Sequence, residues 1–155
     1  MNAKYINPLL ESTVSVLSTM ATVIAKPGKP FPKEGHTALG DITSMINLSE
    51  NGQTKASLAI SFSQEAALDI AQNMLGDRSD KIEPSTVDMV GELTNMITGS
   101  AKRLYADLGH DFELTLPHTC VGHDKPVKHS IDGETIVIPF STNAGNFYVE
   151  LCIDE

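Results

Sequence analysis

Late in this sequence, apolar positions recur every three or four residues. Such spacing places side chains on one face of an α-helix. Pro84 stands where a helix begins, and Gly109 stands where one ends. The pattern predicts one long helix, whose core-facing side is formed by Val87, Val90, Thr94, Ile97, Ala101, Leu104 and Leu108.

The other segments predict a mixed fold. Strict alternation around Asn51-Gly52 predicts a β-hairpin, and Ser63 and Gly76 are typical of the two ends of a helix. The order is helix, hairpin, helix, helix, strand, hairpin. It predicts an α+β fold with helices on one face of an antiparallel sheet. Each half has a long helix before antiparallel strands, so a weak internal duplication is also predicted. The first helix is predicted over 5–24, and a loop over 25–35 follows it. The first hairpin is predicted over 38–63 and the second helix over 63–76. A strand is predicted over 111–122 and the second hairpin over 135–154.

The first helix has a stripe of its own. We expect its apolar side to face the core through Ile6, Leu9, Leu10, Val14, Leu17 and Met20.

Length and charge narrow the class of protein. The chain has 155 residues, which predicts a single domain over 1–155. Its formal charge of −9, from 20 acidic and 11 basic residues, opposes binding to nucleic acid or to anionic membranes. No apolar run approaches the roughly 20 residues of a membrane span, and no secretory signal is visible. A cytoplasmic protein is predicted, with Cys120 and Cys152 as buried free thiols.

A second stripe runs along the opposite side of the long helix. It consists of Asp88, Glu92, Asn95, Gly99 and Lys102, so Glu92 and Asn95 are neighbours one turn apart. Gly91 and Gly99 fall inside the same helix, where each glycine costs about 0.8–1.0 kcal/mol relative to alanine. Two explanations are open. In the first, the polar residues are merely solvated and the glycines allow close helix packing. In the second, this face binds another molecule.

The segment GELTNMITGSA, from Gly91 to Ala101, resembles the signature of the CheC/CheX/FliY chemotaxis phosphatases, E-(I/L)-G-N-(I/M)-x-x-G-(N/S)-A. The order of elements is similar to CheX across nearly the whole chain. In CheC the first helix carries a second copy of the motif, but here Glu11 is followed by Val14 in place of Asn, which indicates one site. The residues that match the signature are Glu92, Leu93, Asn95, Met96, Gly99, Ser100 and Ala101.

The resemblance implies a phosphatase that hydrolyses the aspartyl phosphate of a CheY-like response regulator. Asn95 is expected to orient the attacking water, and Glu92 to pair with the active-site lysine of the regulator. No cofactor of its own is implied, because Mg²⁺ is expected on the regulator. A homodimer through sheet edges is also implied. The residues expected to bind the partner are Gly91, Thr94, Gly99 and Lys102.

One residue departs from the family pattern. Thr94 stands where the family usually has glycine. Its β-branched side chain is expected to narrow the space into which a partner backbone must fit. Two further readings therefore stay open: a non-catalytic module that binds a receiver domain or a flagellar-switch component, and a structural domain whose polar stripe binds nothing.

Other motifs give weaker signals. His118, Cys120, His123 and His129 lack the second pair of ligands that tetrahedral zinc sites present, so no metal site is predicted. No arginine follows Cys120 at the spacing of a cysteine-based phosphatase, and no phosphate-binding loop of the G-x-x-x-x-G-K-[ST] type is present.

Overall fold

The computed structural model describes residues 3–76 and 78–154. Over these residues, three helices and eight strands follow one another in the order that the sequence patterns predict, with three more short strands than predicted. The elements are α1 (Ala3–Ala21), β1 (Lys26–Pro27), β2 (Phe31–Pro32), β3 (Ile42–Glu50), β4 (Gln53–Phe62), α2 (Gln64–Leu75), α3 (Pro84–Ala106), β5 (Glu113–Leu114), β6 (His118–Val121), β7 (Thr135–Ser141) and β8 (Asn146–Ile153).

All strand pairs of the sheet are antiparallel. Its order is β1-β7-β8-β4-β3-β5, while β2 also pairs with β7 and β6 with β3. The two hairpins predicted from alternation, β3–β4 and β7–β8, meet along β4 and β8 at the centre. The first hairpin turns at Asn51 and Gly52, which both have positive φ, as its sequence predicts. The predicted α+β fold is confirmed.

The helices cover one face of this sheet. Alternate residues of a strand point to opposite faces, so Phe147, Val149 and Leu151 of β8 enter the main core together with residues of all three helices. Glu150 and Cys152 point to the other face and are also fully buried there, because loops pack over them. The long helix α3 packs against the first of these two faces, and one of its own sides enters the main core.

The C-terminal end of α3 differs from the prediction. The helix ends at Ala106, and the chain turns through 107–109 with Gly109 at a φ of 94°. Leu108 is 46% exposed, although its spacing had predicted a core position. Tyr105 takes that place, 1% exposed, because its ring packs inside while its hydroxyl donates a hydrogen bond to the carbonyl oxygen of Tyr5. Leu93 is also fully buried, a position that the predicted stripe omits.

Four other expectations are corrected. Met20, placed by its spacing in the core stripe of the first helix, is 49% exposed near the end of α1. Cys120 is only partly buried, because β6 lies outside β3 and has no further strand beyond it, whereas Cys152 is buried as predicted. The predicted bent strand at 111–122 is divided into β5 and β6, and the loop at 25–35 contributes β1 and β2.

The internal duplication stays a prediction. Each central hairpin follows a long helix, α1 or α3, and α2 lies between the two halves in sequence. Thr13 of α1 and Thr94 of α3 are both fully buried, and each donates to the carbonyl oxygen four residues earlier.

None of the helices in the described part of the chain has both the length and the hydropathy of a membrane-spanning segment.

Candidate functional site

The face of α3 that points away from the sheet is fixed by the burial of the opposite face. Leu93, Ile97 and Ala101 have no exposed surface. The hydroxyls of Thr94 and Thr98 are satisfied within the helix, because they donate to the carbonyl oxygens of Val90 and Thr94 at 2.8 and 2.7 Å. The predicted outward stripe is confirmed as solvent-facing, since none of its residues is buried: Asp88, Glu92, Asn95, Gly99 and Lys102.

Glu92 and Asn95 are both accessible on this face. Glu92 is exposed and Asn95 is half-exposed, one helical turn further along. Residues three apart on a helix have Cβ atoms about 5–6 Å apart, so their side chains leave the helix side by side. Within the part of the chain that the structure describes, neither side chain has a hydrogen-bond or ion-pair partner. The carboxylate and the carboxamide are free to bind groups of another molecule.

A groove runs between α1 and α3 beside Asn95. It is open to solvent and encloses a volume of about 430 Å³. Met96, Gly99, Ser100 and Arg103 continue the α3 wall beyond Asn95. The α1 wall consists of Ser15, Val16, Thr19 and Met20.

The two glycines of α3 have different surroundings. A methyl group added at Gly99 would meet no atom within 4 Å. Packing inside this chain therefore does not require a glycine there, and the helix-packing explanation fails for Gly99. At Gly91 an added methyl would lie 3.5 Å from the Thr119 hydroxyl and 3.9 Å from Pro117. Gly91 thus faces β6, and its role in partner binding stays a prediction.

The expectation for Thr94 is wrong. Its side chain is fully buried and its hydroxyl is engaged with Val90, so it cannot contact a partner or narrow the space on the outer face. The side chain points inward because position 94 lies on the same side of the helix as Val90 and Ile97. Lys102 is half-exposed but does not line the groove, whereas Arg103 does.

The histidine and cysteine candidates for a metal site are dispersed. His118 and Cys120 lie together on β6, with 3.4 Å between Nε2 and Sγ. His123 lies near Asp41, and His129 contacts Ser57 and Glu150 on the back of the sheet. Among the residues described, no three His, Cys, Asp or Glu side chains are placed to hold a metal ion.

Groups with shifted pKa values lie away from the groove. The pKa of Glu50 is lowered, mainly because the backbone N–H of Asp111 donates to its carboxylate at 2.7 Å. Burial raises the pKa of the Tyr105 phenol and of the Cys152 thiol. The chemistry of the groove therefore depends on unpaired polar groups and on shape.

Sequence reasoning missed the contribution of α1 to this site. Ser15 and Thr19 are one turn apart on α1, and both face the groove. The sequence pattern of α1 had predicted only its apolar side and placed Met20 there, but Met20 lines the groove. The available signal was the polar spacing of Ser15 and Thr19, which marks a second face.

Known proteins resemble this chain in sequence and in fold. The family model for the chemotaxis phosphatase CheX matches residues 42–141. A relative from Thermotoga maritima, described as CheY-P phosphatase CheX, is 26% identical over 129 residues, which cover 83% of this chain and 82% of the relative.

Two solved structures are similar over nearly the whole chain. The chemotaxis protein CheX from Vibrio vulnificus is 41% identical with a TM-score of 0.88, and the match covers 97% of this chain and 99% of that one. The CheX–CheY–BeF₃–Mg²⁺ complex from Borrelia burgdorferi contains a chain that is 25% identical with a TM-score of 0.80. That match covers 97% of this chain and 98% of the other.

Proposed function

This chain belongs to the CheX family of chemotaxis phosphatases, and on that premise we propose that it hydrolyses the aspartyl phosphate of a CheY-like receiver domain. The observation that carries the proposal is the pair Glu92 and Asn95. Their side chains stand one turn apart on the outer face of α3, and neither has a partner within the described chain.

Asn95 is the residue that we assign to the chemistry. An acyl phosphate is already activated, so its hydrolysis requires a water molecule held in line with the bond to be broken. The carboxamide oxygen of Asn95 accepts a hydrogen bond from that water, and its N–H₂ group donates to a second acceptor. Because the amide is neutral, it adds no charge repulsion to the phosphoryl group. Its half-exposed position lets it enter the active site of another protein.

Glu92 is the residue that we assign to anchoring the receiver. A carboxylate would repel the phosphoryl group, so it is suited to a cation next to that group. The lysine of the receiver's active site has this charge. A pair that is desolvated when the two proteins meet also contributes orientation, because the carboxylate accepts from a fixed direction.

The metal ion belongs to the partner in this proposal. Mg²⁺ on the receiver neutralises the charge that develops on the phosphoryl oxygens. The Borrelia burgdorferi CheX was solved together with CheY, BeF₃ and Mg²⁺, which supports both the partner and the metal. The residues of this chain then have two tasks, to hold the receiver and to orient water. A receiver substrate implies that the protein acts in the cytoplasm.

The experiment is the decay of a phosphorylated receiver from the same cell, with and without this protein. The proposal predicts faster release of inorganic phosphate at catalytic amounts of protein. A chain that binds the phosphorylated receiver and leaves its decay rate unchanged is a binding module, and the proposal is then wrong. No binding to any receiver of that cell would indicate a structural domain.

We also propose a homodimer through a sheet edge. Strand β6 pairs only with β3, so one side of it remains open within the described sheet. Val121 in β6 is 45% exposed, and Leu116 just before it is 88% exposed. These apolar side chains support association along this edge. Light scattering across a range of concentrations tests it, and a mass of one chain at all of them would contradict it.

A further inference from the structure

Arg103 and Lys102 are adjacent cations near the end of α3, but they face different surroundings. Residues eleven apart on a helix are three turns apart and share a face. Arg103 therefore shares the side of Glu92, whereas Lys102, seven residues after Asn95, lies at the edge of the outward stripe that is nearer to Gly91 and β6. Arg103 lines the groove between α1 and α3, and Lys102 does not.

The charge of the groove differs from that of the whole molecule. The chain has a net charge of −9. Of the residues that the structure describes, nine line the groove, none of these is acidic, and Arg103 is the one with a permanent positive charge. A groove without acidic residues is suited to an acidic partner, because the acidic surface elsewhere on this protein would repel that partner.

Arg103 is available for such a partner. It is exposed, and no carboxylate within the described residues forms an ion pair with it. Between Asn95 and Arg103 the helix surface is open at Gly99, where an added methyl would meet nothing within 4 Å. The groove is thus continuous from the proposed catalytic amide to this cation. The two residues are eight apart, or about 12 Å along the axis.

We infer that this groove extends the docking surface for the phosphorylated receiver, and that Arg103 pairs with a carboxylate on that receiver. The inference rests on the proposed function, because it names a further contact of the same partner. Glu92 and Arg103 then present opposite charges about 16 Å apart on one face of α3. A receiver bound in the reversed direction would meet like charges at both ends, so the pair fixes its orientation. Arg103 is a positioning residue, since it lies too far along the helix to reach the water held by Asn95.

A structural role for Arg103 makes a different prediction. A cation in the last turn of a helix interacts favourably with the free carbonyl groups there. Loss of that interaction would lower the Tm of the protein. It would not change how tightly the folded protein binds a receiver.

The experiment compares two charge reversals, Arg103→Glu and Arg78→Glu. Each changes the net charge by the same amount, and Arg78 is exposed but outside the groove. Binding is measured by titration with a receiver carrying beryllofluoride, which occupies the place of the phosphoryl group without being hydrolysed. Steady-state phosphate release and Tm are measured on the same samples.

The expected result is specific to Arg103. Arg103→Glu weakens binding and raises KM by about tenfold or more, with kcat within about twofold of wild type. Added salt recovers part of that loss, because it screens the repulsion between the introduced carboxylate and the carboxylate of the receiver. Arg78→Glu changes binding by less than about threefold. A receiver variant with an acidic residue replaced by lysine restores binding of Arg103→Glu.

Two results would overturn the inference. Equal losses in both variants would show that only net charge matters, and wild-type binding of Arg103→Glu would show that the groove cation is not used. The proposed function fails separately. If wild-type protein does not accelerate phosphate release, the function is wrong. If it does so through Asn95 while Arg103→Glu behaves as wild type, only the docking inference is wrong.

Discussion

The hydroxyl of Thr94 donates a hydrogen bond of 2.8 Å to the carbonyl oxygen of Val90, and the whole residue is buried on the core-facing side of α3. Sequence resemblance had placed Thr94 at the partner surface, where the family usually has glycine. The structure places it on the opposite side of the helix from Gly99. A threonine at this position therefore affects how α3 packs, and the outer face keeps the space that a receiver needs.

Replacement of Thr94 by the family residue tests this correction. Thr94→Gly removes a buried side chain and introduces a flexible residue into the helix, so we expect the free energy of unfolding to fall by about 1–3 kcal/mol. KM for the phosphorylated receiver should stay within about twofold of wild type. Urea unfolding and steady-state phosphate release measure the two quantities. A Thr94→Gly variant with clearly tighter receiver binding would show that the threonine does obstruct docking.

Gly99 gives the opposite combination of effects. Because the position of its missing side chain is open, Gly99→Ala should raise the free energy of unfolding by about 0.5–1 kcal/mol through higher helix propensity. Gly99→Leu should also fold, but its side chain fills the groove and should raise KM about tenfold or more. Gln72→Leu, at an exposed position of α2 outside the groove, is the control and should leave KM within about twofold of wild type. If Gly99→Leu binds the receiver as wild type does, the receiver does not approach α3 there.

A buried ionic cluster on the back of the sheet predicts a large effect on stability. Glu150 has no exposed surface, and it accepts hydrogen bonds from Lys33 at 2.9 Å and from His129 at 3.1 Å. Glu150→Ala leaves the ammonium group of Lys33 buried without its partner. We expect the free energy of unfolding to fall by about 3–5 kcal/mol. Glu34→Ala, at an exposed acid, should change it by less than about 0.5 kcal/mol, and a similar loss for both would contradict this account.

Tyr105 predicts a loss of stability at alkaline pH. Burial raises the pKa of its phenol above the usual value of about 10, because the charged form would be desolvated. Its contribution is fully present below the pKa of the unfolded chain, and it is lost as the pH rises toward the folded value. Urea unfolding should therefore show falling stability above about pH 10. Tyr105→Phe should reduce that slope, and an unchanged slope would assign the effect to other groups.

The extent to which sequence predicted this structure depends on how local the signal is. Asn51-Gly52, Ser63 and Gly76 each act through the backbone of a few residues, and all three mark the turn or helix end that was predicted. Tyr105 and Leu108 show the limit. A leucine is the more apolar choice for a core position, yet tertiary packing buries the tyrosine, whose hydroxyl finds a carbonyl acceptor on α1.

The site was predictable for the same reason, and incompletely. Glu92 and Asn95 lie on one helix, so helical geometry alone predicts that they are neighbours. The groove requires α1 to lie beside α3, so that residues about 80 positions apart in sequence, such as Thr19 and Gly99, line the same groove. Local periodicity carries no information about that contact. It also cannot tell whether Lys102 or Arg103 faces α1.

A single-turnover measurement with Asn95→Ala tests whether this amide orients the attacking water. Wild-type protein in excess over the phosphorylated receiver should release phosphate much faster than the receiver alone. Asn95→Ala should lose about a hundredfold of the rate at saturation, because the water is no longer aligned, while its affinity for the beryllofluoride-bound receiver stays within about threefold of wild type. Phosphate release by Asn95→Ala at the wild-type rate would contradict the assignment of the chemistry to this amide.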